Sequence, residues 1–234
     1  MRSIEELINR QINQWEFAQK ELNESPEKKA NHKIQPIVTV SRQRGSRGSY
    51  LAALLAKKLG YQELHREVID EICRSSGYKR RIIESLDDKV RSRIELMIEG
   101  AFKGIYVDAG DYFRELYKVI MSISHHGGVV TVGRAANFIL QRDQGFHVRV
   151  VASMPVRVAN LMQYENLSLE DAEDAIHESD EERDRFVEAN FKRHIDEPGA
   201  YDLVINTSYI DLEQALEMVL IGVKAKASFL TSGK

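Results

Sequence analysis

The apolar positions of this chain fall into alternating short runs and helical periods. Ile37-Val38-Thr39-Val40 is an unbroken β-branched run without polar alternation, the pattern of a strand buried on both faces. Directly after it, Leu51, Leu54, Leu55 and Leu59 recur at helical spacing, with Ala52, Ala53 and Ala56 small enough to let that helix lie close to a sheet, and Gly60 is placed to end it. Tyr61 to Leu64 predicts a short strand and Glu67 to Arg74 a helix. The period of Ile82, Ile83, Leu86, Val90, Ile94 and Met97 predicts one helix from Arg80 to Phe102, and Phe113, Leu116, Tyr117 and Ile120 predict another from Tyr112 to Ile123. Two helices with no strand between them point to an inserted helical subdomain. Gly127-Gly128 then breaks the pattern, and Val129 to Val132 and His147 to Ala152 read as buried strands. Pro155 suits the first turn of the next helix, Ser168 and Asp171 have capping-box spacing before a long helix from Leu169 to Phe191, Leu203-Val204-Ile205 is a fifth strand, and Asp211 with Gln214 can cap the last helix. Strands alternating with helices imply an α/β fold with a mostly parallel sheet covered on both faces.

At the N-terminal end, Ile4, Leu7, Ile8, Ile12 and Trp15 form one stripe of an amphipathic helix over Met1 to Leu22. Its polar face is not rich in lysine and arginine, so the stripe is expected to dock on its own domain or on a second copy of the chain, not on a membrane. Asn23 to Lys33, with Ser25-Pro26 and a cluster of charges, reads as a linker, so residues 1–33 form a helix and linker and the domain proper spans 34–234.

A length of 234 residues accommodates one sizeable α/β core with an insertion. The net charge of −3 gives no global field toward nucleic acid or an anionic membrane, so any basic site must be local. Cys73 is the only cysteine, which excludes an intramolecular disulfide framework, and its apolar neighbours Val68, Ile69 and Ile72 make it a core thiol. With no signal-peptide pattern and no apolar run of about 20 residues, a cytoplasmic protein is expected.

The local chemistry gathers at Gly45-Ser46-Arg47-Gly48-Ser49, between the first strand and its helix. A small-residue turn leading into a helix N-terminus can cradle an anion, and Arg42, Arg44 and Arg47 bring three guanidiniums to it. The competing reading is a turn with solvated arginines. Against the phosphate-loop motif GxxxxGK[ST], Arg42 stands at the first glycine, Arg47 at the second, Gly48 at the lysine and Ser49 at the hydroxyl position. His65 and Arg66 fall at the carboxyl end of the second strand, where ligands of parallel sheets are met. Adjacent His125 and His126 point in different directions on a helix and make a poor metal site, and the acids from Glu170 to Glu182 read as a solvated face.

The segments VTVSRQRGSRGSYLAALLAKKLG, HREVID, VVTVGRAANFIL, HVRVVASMPVRVANLM and YDLVINTS, in this order and spacing, resemble the cytidylate-kinase-like proteins. The resemblance implies a P-loop NTPase-type three-layer fold with a five-stranded parallel sheet, a helical nucleoside monophosphate-binding insertion over about residues 67–126 and a lid over about 160–195. It also implies ATP with Mg2+ as donor and a nucleoside monophosphate, CMP first, as acceptor. Ser41 to Ser49 matches the family's S-R-x-x-G-S-x-G pattern, which itself lacks the lysine, with Arg47 where glycine is usual. The resemblance then assigns Arg42, Gly45, Ser46, Gly48 and Ser49 to the donor phosphates, Ser49 also to magnesium, Arg66 and Arg134 to the acceptor phosphate, and Asn206 to the adenine side. Arg47, Arg157 and Arg183 fall to charge on the transferring group. Ala135 replaces the aspartate that follows the family's Gly-Arg, and the lid is diluted by Glu178, Glu181, Glu182 and Asp184. These departures leave a second expectation beside a monophosphate kinase, namely a nucleotide-binding sensor without turnover, and a third, a kinase of another small acceptor.

Overall fold

The computed structural model describes residues 3–24, 35–102 and 111–231. It separates into two compact units, one of Val38–Glu63 with Val129–Lys234 and one of Met1–Ile37 with Leu64–Gly128.

The first of these carries the sheet. Five strands, β1 (Ile37–Arg42), β2 (Gln62–Leu64), β3 (Val129–Val132), β4 (Gly145–Val151) and β5 (Leu203–Asn206), lie in the order β2-β3-β1-β4-β5 in a parallel sheet. β1 lies between β3, in register Val38 to Val130, and β4; β5 flanks β4 with Val148 opposite Leu203. The unbroken β-branched run of β1 is explained by this central position, since Ile37 to Val40 are all buried. β5 is an edge strand, and its pattern relaxes accordingly, with Val204 47% exposed.

Helix α2 (Gly48–Leu59) covers β3 and lays Leu51, Ala52, Leu55 and Ala56 against the core, where the two alanines permit close approach. It ends at Gly60 with φ 70°, and the Tyr61 amide reaches back to the Ala56 carbonyl at 2.9 Å, the bond pattern of a Schellman stop. The last helix of the chain (Leu212–Thr231) buries Ala215, Val219 and Val223 in the same core. Its start is capped reciprocally, Gln214 N donating to Asp211 Oδ1 at 2.8 Å and Asp211 N to Gln214 Oε1 at 3.4 Å. Between β4 and β5 run two antiparallel helices, Met154–Glu165 and Leu169–Phe191, the second opened by Ser168 accepting from Asp171 N. They pack through a small apolar cluster of their own, Val158 and Leu161 against Ala172 and Ile176.

The second unit is helical. Helix α1 (Ile4–Glu24) lays Ile8, Ile12 and Trp15 onto the helices Arg66–Arg74 and Ser76–Glu84, so its stripe docks within the chain. Arg81 fastens it with bonds to Asn9, Asn13 and Glu16. The Trp15 indole stacks on His126 at 4.8 Å and donates to the Gly127 carbonyl at 3.4 Å. Cys73 is buried. The helix expected over Arg80 to Phe102 is two helices, Ser76–Glu84 and Asp88–Phe102. The Ser85 hydroxyl turns back to the Ile82 carbonyl at 2.8 Å, and Asp87 accepts from Val90 N, so one helix is ended and the next begun within three residues. Leu86 is buried at the break, which is why the apolar period runs straight through it. A short helix, Ala136–Ile139, is too brief to carry a period, and the proposed linker from residue 25 onward lies outside the described residues. Among the described residues no helix is long and apolar enough to cross a membrane.

His126 and His147 are both buried, and burial pushes each imidazole down to about 4 from its ordinary value of 6.5. The unfolded chain therefore binds more protons than the folded one between those limits. Their contribution to stability is whole above pH 6.5 and is lost as pH falls toward 4, on the order of 3 kcal/mol for each histidine. Urea melts taken across this range are expected to show midpoints falling with pH, with a shallower slope in His126→Gln.

Candidate functional site

The loop from Arg42 to Arg47, at the carboxyl end of β1, is fixed by bonds to its carbonyl oxygens. Arg42 O accepts from Arg183 Nη1 at 2.7 Å, Gln43 O from Ser46 Oγ at 2.8 Å, Arg44 O from Arg157 Nε at 2.7 Å, Gly45 O from Asn160 Nδ2 at 2.8 Å and Ser46 O from Thr207 Oγ1 at 2.9 Å. Gln43 stitches the loop to β4 twice, its N–H donating to Val150 O and its Oε1 accepting from Ala152 N. In a trans peptide the C=O and the following N–H point in opposite directions. With the carbonyls of Arg44 and Ser46 held by Arg157 and Thr207, the N–H groups of Gly45 and Arg47 point away from those partners. The N–H groups of Gly48 and Ser49 open α2 and have no acceptor within the helix. This is the donor array that an anion at a helix N-terminus requires.

The sequence fits this geometry closely. Gly45 has φ 79°, and a Cβ there would meet the Arg157 carbonyl at 2.6 Å. At Gly48 a Cβ would lie 2.5 Å from the Arg42 Cβ, so the position that carries lysine in the common motif is closed by Arg42. Arg47 occupies the left-handed region at φ 61°, a conformation that favours glycine and costs a residue with a Cβ about 1 kcal/mol.

Four guanidiniums, those of Arg42, Arg44, Arg47 and Arg183, line a cleft of about 180 Å³ over the loop. Burial, and after it the charge of Arg42, push the Arg183 guanidinium down to about 9 against the opposing pull of Asp180. It stays protonated at neutral pH, in a field that an entering anion would relieve. Among the described residues, the Nε atoms of Arg44 and Arg47 are buried without a hydrogen-bond partner. Among the described residues Glu165 is the one carboxylate on the cleft wall, and it pairs with Arg44 Nη2 at 2.5 Å.

The other sequence-derived candidates fall in separate places. Arg157 is buried, with Nη2 on Asp180 at 2.7 Å and Nε on the loop, so it braces the loop from behind. Ser46 is wholly buried with its hydroxyl on Gln43, and Ser49 Oγ accepts from Arg42 Nε at 3.4 Å. Arg134 follows β3 within Gly133-Arg134-Ala135, three successive residues with φ of 85°, 55° and 50°. The two non-glycine members hold a strained conformation of the kind found at ligand clamps. Gly133 N donates to Val40 O, which sets this turn beside the end of β1, and Arg42 Nη1 lies 3.0 Å from where a Gly133 Cβ would be. Asn206 is exposed at the end of β5, its Oδ1 accepting from Ser208 N, outside the cleft lining. Arg66 belongs to the helical unit, where its Nε is 4.0 Å from Asp70, which also accepts from Tyr112. His126 Nε2 faces the Ser85 hydroxyl and the Ile82 carbonyl, and among the described residues there is no group of three metal-ligating side chains.

Sequence reasoning passed over Arg149, which is 4% exposed in the middle of β4, bonding Ser41 Oγ at 2.8 Å and Asp196 at 2.6 Å. The signal was an arginine between Val148 and Val150 in an otherwise apolar strand. Asn160 and Thr207 carried none, since their bonds depend on the tertiary approach of α8 (Met154–Glu165) and of the β5 end.

A five-stranded parallel sheet flanked by helices, with an arginine-rich strand–loop–helix at its centre, gives the chain an α/β fold. The chain belongs to the cytidylate kinase-like family, whose model matches residues 37–209. No curated protein matches it. An uncharacterized protein from Eubacterium ventriosum shares the fold, with a TM-score of 0.67 at 17% identity over 83% of this chain and 99% of that one. A gluconokinase from Sinorhizobium meliloti superposes with a TM-score of 0.47 at 13% identity, over 87% of this chain and 99% of its own. For a shikimate kinase from Acinetobacter baumannii in complex with shikimate the values are 0.44 and 13%, over 82% and 95%.

Since Glu165 competes for Arg44 with any anion that enters, Glu165→Gln is expected to tighten tripolyphosphate binding several-fold in calorimetry at low salt. An unchanged or weaker affinity would show that Arg44 takes no part in binding.

Proposed function

We propose that this chain is an ATP-dependent phosphotransferase of the nucleoside monophosphate kinase type, cytoplasmic, with CMP as the first acceptor to test. The observation that carries the proposal is the pinned loop under four guanidiniums, in a chain whose family is cytidylate kinase-like. Phosphoryl transfer needs positioning and neutralisation of charge more than a protein nucleophile, and this site offers both.

The residues fit a magnesium polyphosphate. Buried Nε atoms without partners and a depressed Arg183 are the marks of a site short of negative charge. Magnesium takes most of its ligands from phosphate and water, so the lack of an acidic cluster does not count against it. The N–H groups of Gly45, Arg47, Gly48 and Ser49 would hold the donor phosphates, and the Ser49 hydroxyl the metal. ATP with Mg2+ would supply the transferable phosphoryl group and a bridge between its oxygens. In this reading Arg42 takes the place of the missing lysine, Arg47 and Arg183 neutralise charge on the transferring group, and Arg157 keeps the loop in shape for it. Arg134, at the end of β3, would take the acceptor phosphate.

A second reading, a nucleotide sensor without turnover, is favoured by one observation: a Cβ at Gly48 would meet Arg42 Cβ at 2.5 Å, so no lysine side chain fits at that position as the loop stands. The two are separated by incubating the protein with magnesium-ATP and each common nucleoside monophosphate and following diphosphate by chromatography. Turnover with at least one monophosphate, reduced on the order of a hundredfold in Arg183→Ala, is the expected result. Saturable calorimetric binding with no diphosphate from any acceptor would leave the sensor, and labelled-ATP screening of small metabolites would show a different acceptor.

A further inference from the structure

One wall of the arginine-lined cleft is aromatic. Tyr50, in the first turn of α2, and Tyr164, in the last turn of α8, both line it, with ring centroids 6.3 Å apart and planes inclined at 47°. Tyr50 is 60% exposed and Tyr164 is 47% exposed, so a ring face is open at the mouth. The Arg47 guanidinium lies 5.4 Å from the Tyr164 centroid, joining the cationic wall to the aromatic one. A cleft lined by clustered arginines and by the exposed ring of Tyr50 matches a ligand that joins a polyanion to a flat aromatic group. Of the neighbouring polar side chains, Gln43 Oε1 holds Ala152 N, Asn160 Nδ2 holds Gly45 O and Glu165 Oε2 holds Arg44. The exposed Tyr50 ring offers a base a face, and stacking accepts any base because every base has one.

We infer that Tyr50 is the stacking platform for the donor base, and that the donor is selected by its rings and phosphates with little discrimination between bases. The inference rests on the phosphotransferase reading above and adds the donor specificity. It is tested by calorimetry of tripolyphosphate, ATP and GTP on the full chain and on Tyr50→Ala and Tyr50→Phe, with thermal melts to confirm that both variants fold. ATP and GTP should bind the unaltered chain within about threefold of one another and more tightly than tripolyphosphate. Tyr50→Ala should weaken both nucleotides by about tenfold and leave tripolyphosphate unchanged, while Tyr50→Phe retains the nucleotide affinity. Equal loss for tripolyphosphate would reduce Tyr50 to packing between α2 and α8, and unchanged ATP affinity in Tyr50→Ala would place the base elsewhere. A preference of ATP over GTP beyond about thirtyfold would mean that base edges are read. Each of these overturns the inference while the phosphotransferase reading stands. Failure of the unaltered chain to bind tripolyphosphate or either nucleotide would overturn both.

Discussion

The hydrogen bonds to the carbonyls of residues 42–46 are the constraint on which the candidate site depends. A loop of this length has no sheet or helix ladder to satisfy it, and a buried carbonyl without a partner costs about 1–3 kcal/mol. Here the partners come from four places: Arg157 and Asn160 on α8, Arg183 on the helix after it, Thr207 beyond β5, and Ser46 of the loop itself. Because each peptide has its C=O and N–H opposed, the bonds to the Arg44 and Ser46 carbonyls turn the Gly45 and Arg47 N–H groups away from Arg157 and Thr207, whereas the Gln43 and Ser46 N–H groups are taken by Val150 O and Gln43 O.

This arrangement also explains why the site tolerates so much positive charge. Arg157 is neutralised by Asp180 and Arg44 by Glu165, whereas Arg183 is left with only partial compensation. The two acids sit on the α8–α9 pair, α9 being Leu169–Phe191, so the hairpin contributes both guanidinium and carboxylate to one centre. Its acidic residues are not uniformly a solvated face: Asp180 turns inward while Glu181 and Glu182 remain exposed.

Much of the architecture was legible in the pattern of residues because the pattern has a physical cause. Central strands between two covered faces favour β-branched, mostly apolar runs, and β1 and β3 have them, whereas β4 is interrupted by His147 and Arg149. Caps such as Ser168 with Asp171 and Asp211 with Gln214 are local and could be read from spacing alone. The break at Ser85 was hidden because Leu86 keeps the apolar period through it. Within the site, the glycines and arginines of the loop were visible, but the partners that fix their carbonyls lie more than a hundred residues away in sequence. Arg149 was obscured for a related reason, since a charged residue in a buried strand is intelligible only once Ser41 and Asp196 are seen beside it. Arg47 is the mixed case: the departure from glycine was plain, yet its left-handed backbone and its place on the Tyr164 ring belong to the folded chain.

The docking of α1 has a practical corollary. Trp15 is the only tryptophan in the chain, and its indole lies face to face with His126 while its N–H is tied to Gly127. All of the protein's indole emission therefore originates at the joint between the N-terminal helix and the other helices of its unit. Fluorescence of the unlabelled protein is thus an optical gauge of that joint, and the neighbouring imidazole makes it responsive to protonation. Undocking of α1 can be followed in real time without introducing a dye.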